Sequence, residues 1–238
     1  MRVRDAIDEL RVILERVGDL LLLAPSSHKL LEEPVIGTLG TVTGLEGFTL
    51  RRAVGNLLDN LETSVFDNTL SANLKACFDA ARKNGVGITW FDKVLSQLFT
   101  EAPLSLFADT MTQVCVFYIL GEQVRIIADT KFTNRDSVDA VMARMKTSFN
   151  TAKEVAADHM DSASFLALVQ LAAATTNHLV KTARPLPQIV NYVMAAPLPA
   201  LAVSQLIYGD GSRSDEIIRE NRVVHPAFVS INVRALSA

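Results

Sequence analysis

The sequence predicts a mainly α-helical protein, in which a helical bundle is followed by a small C-terminal α+β module. Of its 238 residues 49% are hydrophobic but only 6% are aromatic. The apolar mass is therefore Ala, Leu and Val, which favours packed helices over a β-sandwich or barrel. Apolar residues also recur at steps of three and four along most of the chain. The stretch Leu206–Phe228 interrupts this pattern with a tight polar turn and an extended segment.

Charge and cysteine content narrow the function classes. The net charge is −3, with acidic and basic residues interspersed, which argues against nucleic-acid binding as the main function and leaves a local basic patch as the alternative. Cys77 and Cys115 lie in apolar helical patterns without a CxxC motif, which favours buried reduced thiols and leaves a disulfide as the alternative. The charged N-terminus is not a signal peptide. Prolines interrupt the uncharged segment Pro185–Gly209, so we expect no membrane anchor.

The N-terminal region is predicted as one helix followed by a glycine-rich segment. Residues 4–24 carry an apolar stripe at alternating steps of three and four, typical of a bundle core or of a subunit-packing seam: Ile7, Leu10, Leu14, Val17 and Leu21. Residues 34–48 place glycines among β-branched residues, which predicts a mobile loop or a short hairpin. Their spacing matches no phosphate-binding loop.

The middle of the chain reads as consecutive helices. Apolar periodicity marks helices over 50–61, 70–81 and 90–99, the second ended by a left-handed cap at Asn84-Gly85 and the third capped by Thr89. A long helix follows Pro103 and runs to about Ala128. It is hydrophobic nearly all round, so we expect it to be the central buried element.

Two further helices and two proline corners complete the bundle. Periodic residues over 138–156 and 165–180 predict an antiparallel helical hairpin. Pro185-Leu186-Pro187 and Pro197-Leu198-Pro199 cannot continue a helix and act as rigid corners. We therefore predict three regions, the N-terminal helix with its glycine-rich segment (1–48), the helical bundle (49–185) and the C-terminal module (186–238).

The sequence contains no pattern that predicts catalysis. It has no GxSxG or HExxH motif and no nucleotide-binding glycine loop, so we assign no catalytic, cofactor-binding or metal-binding residue. The histidines are interpreted as ordinary surface or hydrogen-bonded residues, with two of them on adjacent helices: His28, His159, His178 and His225. The basic doublets Arg51-Arg52 and Arg82-Lys83 are interpreted as solvated helix faces.

The last stretch has the most specific pattern. An apolar helix ends at Tyr208, and Gly209-Asp210-Gly211-Ser212 suits a tight turn with positive φ. A short amphipathic helix carrying Ile217 and Ile218 follows and stops at Asn221. Pro226 then favours an extended conformation at the preceding residue.

These residues resemble the DNA-circularisation (N protein) family of Mu-like phages, whose members are tail and baseplate components. The resemblance begins in Val138–Lys181, strengthens at Ala183–Pro187, and is sharpest in an LYGD-like turn, a D/E-E-I helix and a His-Pro-x-Phe segment. Val229–Asn232 replaces the family's Pro-Gly-Gly-like turn before an expected closing strand, Val233–Leu236. Residues 1–130 match less clearly, and the family's separate N-terminal domain is not found. The motif positions are Tyr208, Gly209, Asp210, Arg213, Asp215, Glu216, Ile217, Asn221, His225, Pro226 and Phe228.

The resemblance implies a virion protein that joins the tail tube or hub to surrounding baseplate proteins. It implies no enzymatic activity, assembly in the host cytoplasm, and a homo-oligomeric ring built with tail symmetry. The module also looks like a degenerate lysin-motif unit, so a peptidoglycan-binding or DNA-end-binding protein acting during infection is the alternative. Each motif residue is expected either to contact a partner or to serve the module itself. In the latter role Tyr208 and Phe228 would close the core, His225 would bond locally and Asn221 would cap the helix.

Overall fold

The structure, a computed structural model, describes residues 3–24, 44–100, 103–159 and 161–237. These residues form ten α-helices and one two-stranded antiparallel sheet near the C-terminus, which confirms the predicted fold class. In chain order the elements are α1 (Val3–Leu22), α2 (Gly44–Asp59), α3 (Leu61–Phe66), α4 (Leu70–Lys83), α5 (Ile88–Thr100), α6 (Leu106–Asp129), α7 (Arg135–Asp158), α8 (Ser162–Ala183), β1 (Ile189–Val193), α9 (Ala200–Tyr208), a 3-10 turn (Gly211–Arg213), α10 (Ser214–Glu220) and β2 (Asn232–Leu236).

The chain divides into two compact units. The first comprises Met1–Thr130 with Lys146–Ala172, and the second comprises Lys131–Met145 with Ala173–Ala238. Both units include parts of α7 and α8. The boundaries predicted after residues 48 and 185 therefore stay predictions.

Helix α6 is the central element of the first unit, as predicted. It packs against α1, α4 and α5, and its exposed positions are confined to its two ends. The apolar stripe of α1 is buried inside the same unit, against α2, α5 and α6. Of the two roles expected for this stripe, the structure shows the intramolecular one.

Polar contacts fix α1 among its neighbours. The Trp90 indole N–H donates to the Leu20 carbonyl at 2.7 Å, and Arg11 donates to the Leu58 carbonyl at 3.0 Å. The Glu9 carboxylate accepts from the backbone N–H groups of Leu104 and Ser105, just before α6 begins. A carboxylate at this position satisfies N–H groups that the helix itself leaves unpaired.

An ion cluster around the buried Glu122 joins α4 to α6. The Glu122 side chain is only 4% exposed and accepts from Arg82 Nε at 2.8 Å and from Arg125 Nη1 at 2.7 Å. Arg82 also pairs with Asp79 at 3.1 Å. The interpretation of Arg82-Lys83 as a solvated face is therefore wrong for Arg82, because a carboxylate buried on α6 requires a paired cation.

Other differences concern helix ends. The helix predicted over 50–61 is two helices separated by Asn60, and α2 begins at Gly44. The rest of the predicted glycine-rich loop lies outside the described residues. Thr89 does not cap α5, since the Gly87 carbonyl already accepts from Trp90 and Phe91, so Thr89 lies inside the helix. Gly85 has a φ of +86° after α4, which confirms that cap.

Helices α7 and α8 begin at capped positions. The Asn134 side chain accepts from the Ser137 backbone N–H at 2.8 Å, and Asp161 accepts from the Ser164 N–H at 3.1 Å. In the first unit, Val155 near the end of α7 and Leu168 near the start of α8 line one small cavity. The antiparallel hairpin expected of the two whole helices stays a prediction.

The C-terminal module has the order strand, two helices, strand. β1 pairs with β2 in antiparallel register from Ile189↔Leu236 to Val193↔Asn232. β2 coincides with the closing strand expected from the sequence, whereas β1 lies in Gln188–Ala196, for which no secondary structure was predicted. Helices α9 and α10 pack on the sheet through a buried cluster of Ala200, Val203, Ile217, Val229, Val233 and Ala235.

Gly18 sets the close approach of α1 to α2, which gives a first prediction. A Cβ at Gly18 would lie 2.8 Å from Val54 Cγ1, and a β-branched side chain in a helix has little freedom to move. We expect Gly18→Ala to lower the free energy of unfolding by about 1–3 kcal/mol, measured by chemical denaturation followed by circular dichroism.

Gly55→Ala is the matched control. Gly55 is also helical, but nothing lies within 4 Å of the place that a Cβ would take there. At this position the gain in helix propensity should stabilise the protein by about 0.5–1 kcal/mol. Equal effects of the two substitutions would contradict the close packing of α1 on α2.

Candidate interaction site

The polar turn after α9 is built by side chains that satisfy its backbone. Gly209 ends α9 with a left-handed φ of +70°, as the sequence predicted. The Asp210 carboxylate accepts from the Ser212 N–H and hydroxyl, both at 2.8 Å. The Ser204 hydroxyl, inside α9, donates to the Asp210 carbonyl at 2.5 Å. The turn is therefore held to the helix that precedes it.

Tyr208 connects α9 with α10 and β2. Its hydroxyl donates to Glu216 Oε1 at 2.5 Å and accepts from the Leu236 N–H at 2.9 Å. Burial, and the hydrogen bond to the Glu216 carboxylate, raise the pKa of Tyr208 to about 12. Arg213 lies 3.7 Å above the Tyr208 ring and donates to both Glu216 oxygens. The Arg213 guanidinium thus compensates the negative charge of the Glu216 carboxylate, to which the Tyr208 hydroxyl is bonded.

Asn221 closes the outer edge of β2. It follows α10, and its Nδ2 donates to the carbonyls of Ile217 and Arg234, both at 2.8 Å. Its Oδ1 accepts from the Arg234 N–H at 2.7 Å. The side-chain amide therefore exchanges two hydrogen bonds with one strand residue, as a neighbouring strand would. Asn221 does cap α10 as expected, and it also joins that helix to the sheet.

The loop 222–228 presents apolar side chains to solvent. Val224 is fully exposed and Phe228 is 72% exposed, while the neighbouring Val229 is buried in the module core. The expectation that Phe228 closes the core is therefore wrong. The side chain of the next residue, Val229, points into the core instead. The His225 ring centroid lies 5.7 Å from that of Phe228, and its Nδ1 accepts from the Ala227 N–H at 3.2 Å.

Pro226 fixes this loop to α9. Its carbonyl accepts from the Ala200 N–H at 2.7 Å, so it satisfies the first turn of the helix. The motif residues thus form two groups. One, around Tyr208, joins α9, α10 and β2; the other, with Phe228, forms an exposed loop at the start of α9.

Two contributors were not predicted from the sequence. The Ser230 hydroxyl donates to the Asn232 carbonyl at 2.7 Å. This hydrogen bond satisfies the backbone carbonyl of the first residue of β2. Strand β1 was missed although Ile189–Val193 is rich in β-branched and aromatic residues between proline corners, the usual sign of a strand. The strand was not predicted because it is short: five residues contain too few apolar–polar alternations to distinguish a strand from a loop.

The first unit offers a cavity of about 510 Å³, but its lining is mostly apolar. Within it, His159 Nδ1 lies 3.2 Å from the Asp109 carboxylate, within hydrogen-bond distance. Among the described residues no three His, Cys, Asp or Glu side chains cluster as metal ligands. His178 is exposed, and His28 lies outside the described residues.

The two cysteines are free and buried in the first unit. Burial raises the pKa of each thiol, Cys77 and Cys115, to about 12. They therefore remain protonated at neutral pH and are poor nucleophiles.

Helix α8 has an unusual surface. Of the helices in the described ranges, it alone combines the length and apolar composition that could cross a membrane, and only 17% of that window is buried. Its exposed face carries Leu166, Val169 and Val180 without an intervening charge.

Comparison with known proteins gives no match, either among protein-family models or among curated proteins.

Replacing Asn221 should weaken the module. Asn221→Asp removes the donor to the Ile217 and Arg234 carbonyls and places a negative charge beside them, so we expect a loss of about 1–3 kcal/mol in unfolding free energy. Asn232→Asp is the control, since the exposed Asn232 lies on the same strand as Arg234, β2, and its side chain makes no bond to Arg234. Amide hydrogen exchange at Arg234 reports the effect locally. Unchanged protection there would contradict the role given to Asn221.

The stability of the module should depend on the ionisation state of Tyr208. A raised pKa means that the folded module favours the neutral phenol, so its stabilisation is complete below the ordinary value of 10 and is lost as the pH rises towards 12. A tyrosinate absorbance titration should show a component near pH 12 that Tyr208→Phe removes. Tyr118→Phe should retain that component, and its loss in this control would refute the assignment.

Proposed function

We propose that this protein is a structural component of a bacteriophage tail or baseplate, connecting the tail tube or hub with surrounding baseplate proteins. The support is the motif string in Leu206–Phe228, which resembles that of the DNA-circularisation family. In this proposal the chain acts in the virion, after assembly in the host cytoplasm. It forms a homo-oligomeric ring whose repeated contacts follow the rotational symmetry of a tail.

The observation that carries the proposal is that some motif residues stabilise the module internally while others are exposed to solvent. Tyr208, Glu216 and Asn221 are engaged in internal bonds that hold α9, α10 and β2 together. The Phe228 side chain of the same motif is instead presented to solvent, next to fully exposed Val224. A rigid support with an adjacent exposed apolar loop suits recognition of another protein.

The chemistry of the loop favours a protein surface as its partner. Phe228 and Val224 offer apolar area, and His225 adds a ring beside Phe228. Aromatic side chains anchored on a rigid scaffold commonly dominate protein–protein binding energy. The Ala200–Pro226 hydrogen bond positions the loop, so docking would require little ordering of the backbone.

Incorporation into tail particles tests the proposal. The double variant V224D/F228D should lose incorporation when supplied in place of the native chain, because it puts two charges into an apolar contact. Leu206→Asp is the matched control, since Leu206 is similarly exposed but lies near the opposite end of α9 from this loop. Mass spectrometry of purified particles measures the outcome. Absence of the native chain from mature particles would overturn the proposal.

Binding assays separate the alternative functions. Retention of the native chain on purified peptidoglycan would favour the cell-wall role that the lysin-motif resemblance implies. Binding to duplex DNA ends that weakens steeply with salt would favour the DNA-end-binding role. In either case, incorporation into particles should not depend on Phe228.

A further inference from the structure

Strand β1 has one edge paired with β2 and one edge open. The Ser237 N–H donates to the Gln188 carbonyl at 2.7 Å, and the Met194 N–H donates to the Ile231 carbonyl at 2.8 Å. These bonds and the register set the alternation of the ladder, so Val190 and Tyr192 bond towards β2. The backbone groups of the intervening residues point outwards: Ile189, Asn191 and Val193.

The binding of Asn221 to Arg234 independently supports this alternation. Arg234 lies opposite Asn191, and both its N–H and its carbonyl bond to Asn221 on the far side of β2. Arg234 and Asn191 therefore form a pair that exchanges no ladder hydrogen bonds. The N–H and carbonyl of Asn191 consequently point away from the sheet.

The open edge from Ile189 to Val193 lacks the charge and the proline that often protect an edge strand; only just before it does the Pro187 carbonyl accept from the Arg135 N–H, at 2.9 Å. Within the residues that the structure describes, no group bonds to the outward backbone of Ile189, Asn191 or Val193. Ile189–Val193 contains no charge, proline or glycine, and four of its five residues are exposed, Val193 to 78%. Exposed edges of this kind pair readily with another strand.

We propose that β1 is a self-association edge, on which β1 of a second copy pairs antiparallel about a two-fold axis at Asn191. The two sheets then form one continuous four-stranded sheet in the order β2, β1, β1 of the second copy, β2 of the second copy. The inference does not rest on the phage-tail proposal, because it uses only the sheet and its backbone groups.

A self-complementary register favours a second copy as the occupant. Pairing Asn191 with Asn191, and Ile189 with Val193 on each side, is the antiparallel self-register that uses all three outward residues, each pair exchanging two hydrogen bonds. It also places Val190 opposite Tyr192, a favourable β-branched–aromatic pair. Because the strand is uncharged, two identical copies meet no electrostatic repulsion.

The other edge of the sheet explains why pairing would stop at two copies. Side chains already bond to the outer backbone of β2: Asn221 at Arg234, Tyr208 at Leu236 and Ser230 at Asn232. A sheet with one open edge gives a closed two-fold dimer, whereas two open edges would continue into a fibre.

A charge-swap experiment on the full chain tests this edge. In sedimentation velocity of the purified chain, without the other tail proteins among which the proposed ring is built, the native chain should approach twice the mass of the chain as its concentration rises. N191D and N191K should each remain monomeric, because like charges would face each other across the axis. An equimolar mixture of the two variants should dimerise again. Asn191→Ser is the neutral control and should behave as the native chain.

A backbone variant gives a second, independent readout. Asn191→Pro removes the outward N–H but no bond to β2, and an edge strand tolerates proline there, so the variant should fold yet remain monomeric. Circular dichroism establishes that it is folded.

A native chain that stays monomeric at its highest soluble concentration would overturn the proposal. So would a dimer that survives in N191D, which would place the interface elsewhere, for example on the exposed face of α8, or a mixture no more associated than its components.

Discussion

The side-chain amide of Asn221 occupies the position beside β2 that a third strand would take, and the C-terminal module depends on this contact. A two-stranded sheet is barely stable alone, because one pairing leaves an outer edge on each strand. An amide carries both a donor and an acceptor, so it alone among uncharged side chains of this size satisfies the Arg234 N–H and carbonyl together. Since Asn221 also bonds to the end of α10, the same residue joins helix to sheet.

Tyr208 provides the corresponding connection from α9. Its hydroxyl stands between the Glu216 carboxylate and the Leu236 N–H, so one side chain bridges three elements of the module. The result is a sheet with unlike edges. β2 is closed by side chains, whereas β1 presents bare backbone groups. This asymmetry gives the sheet one direction in which another strand can be added, and it separates the residues that hold the module together from those free to bind.

The first unit is held together by a different set of contacts, between helices. Helix α6 is surrounded by α1, α4 and α5, and close approach at Gly18 brings α1 against α2. Glu122 is costly to bury, but it is paired with Arg125 of its own helix and with Arg82 of α4, and the bond to Arg82 joins α4 to α6. Both units therefore place charged and polar side chains where helices meet, and leave apolar residues exposed on α8 and on the 222–228 loop. Such surfaces support the structural role proposed above.

The sequence by itself determined the helical class, the central position of α6, the end of α4 at Gly85 and the left-handed turn at Gly209. These features depend on local periodicity and backbone preference, which a single segment carries within itself. Only the tertiary structure decided the pairing of β1, the outward position of Phe228 and the burial of Glu122. Each of these is fixed by residues far away in the chain, such as Arg82 for Glu122 and β2 for β1, and no local pattern encodes which distant group will arrive beside them.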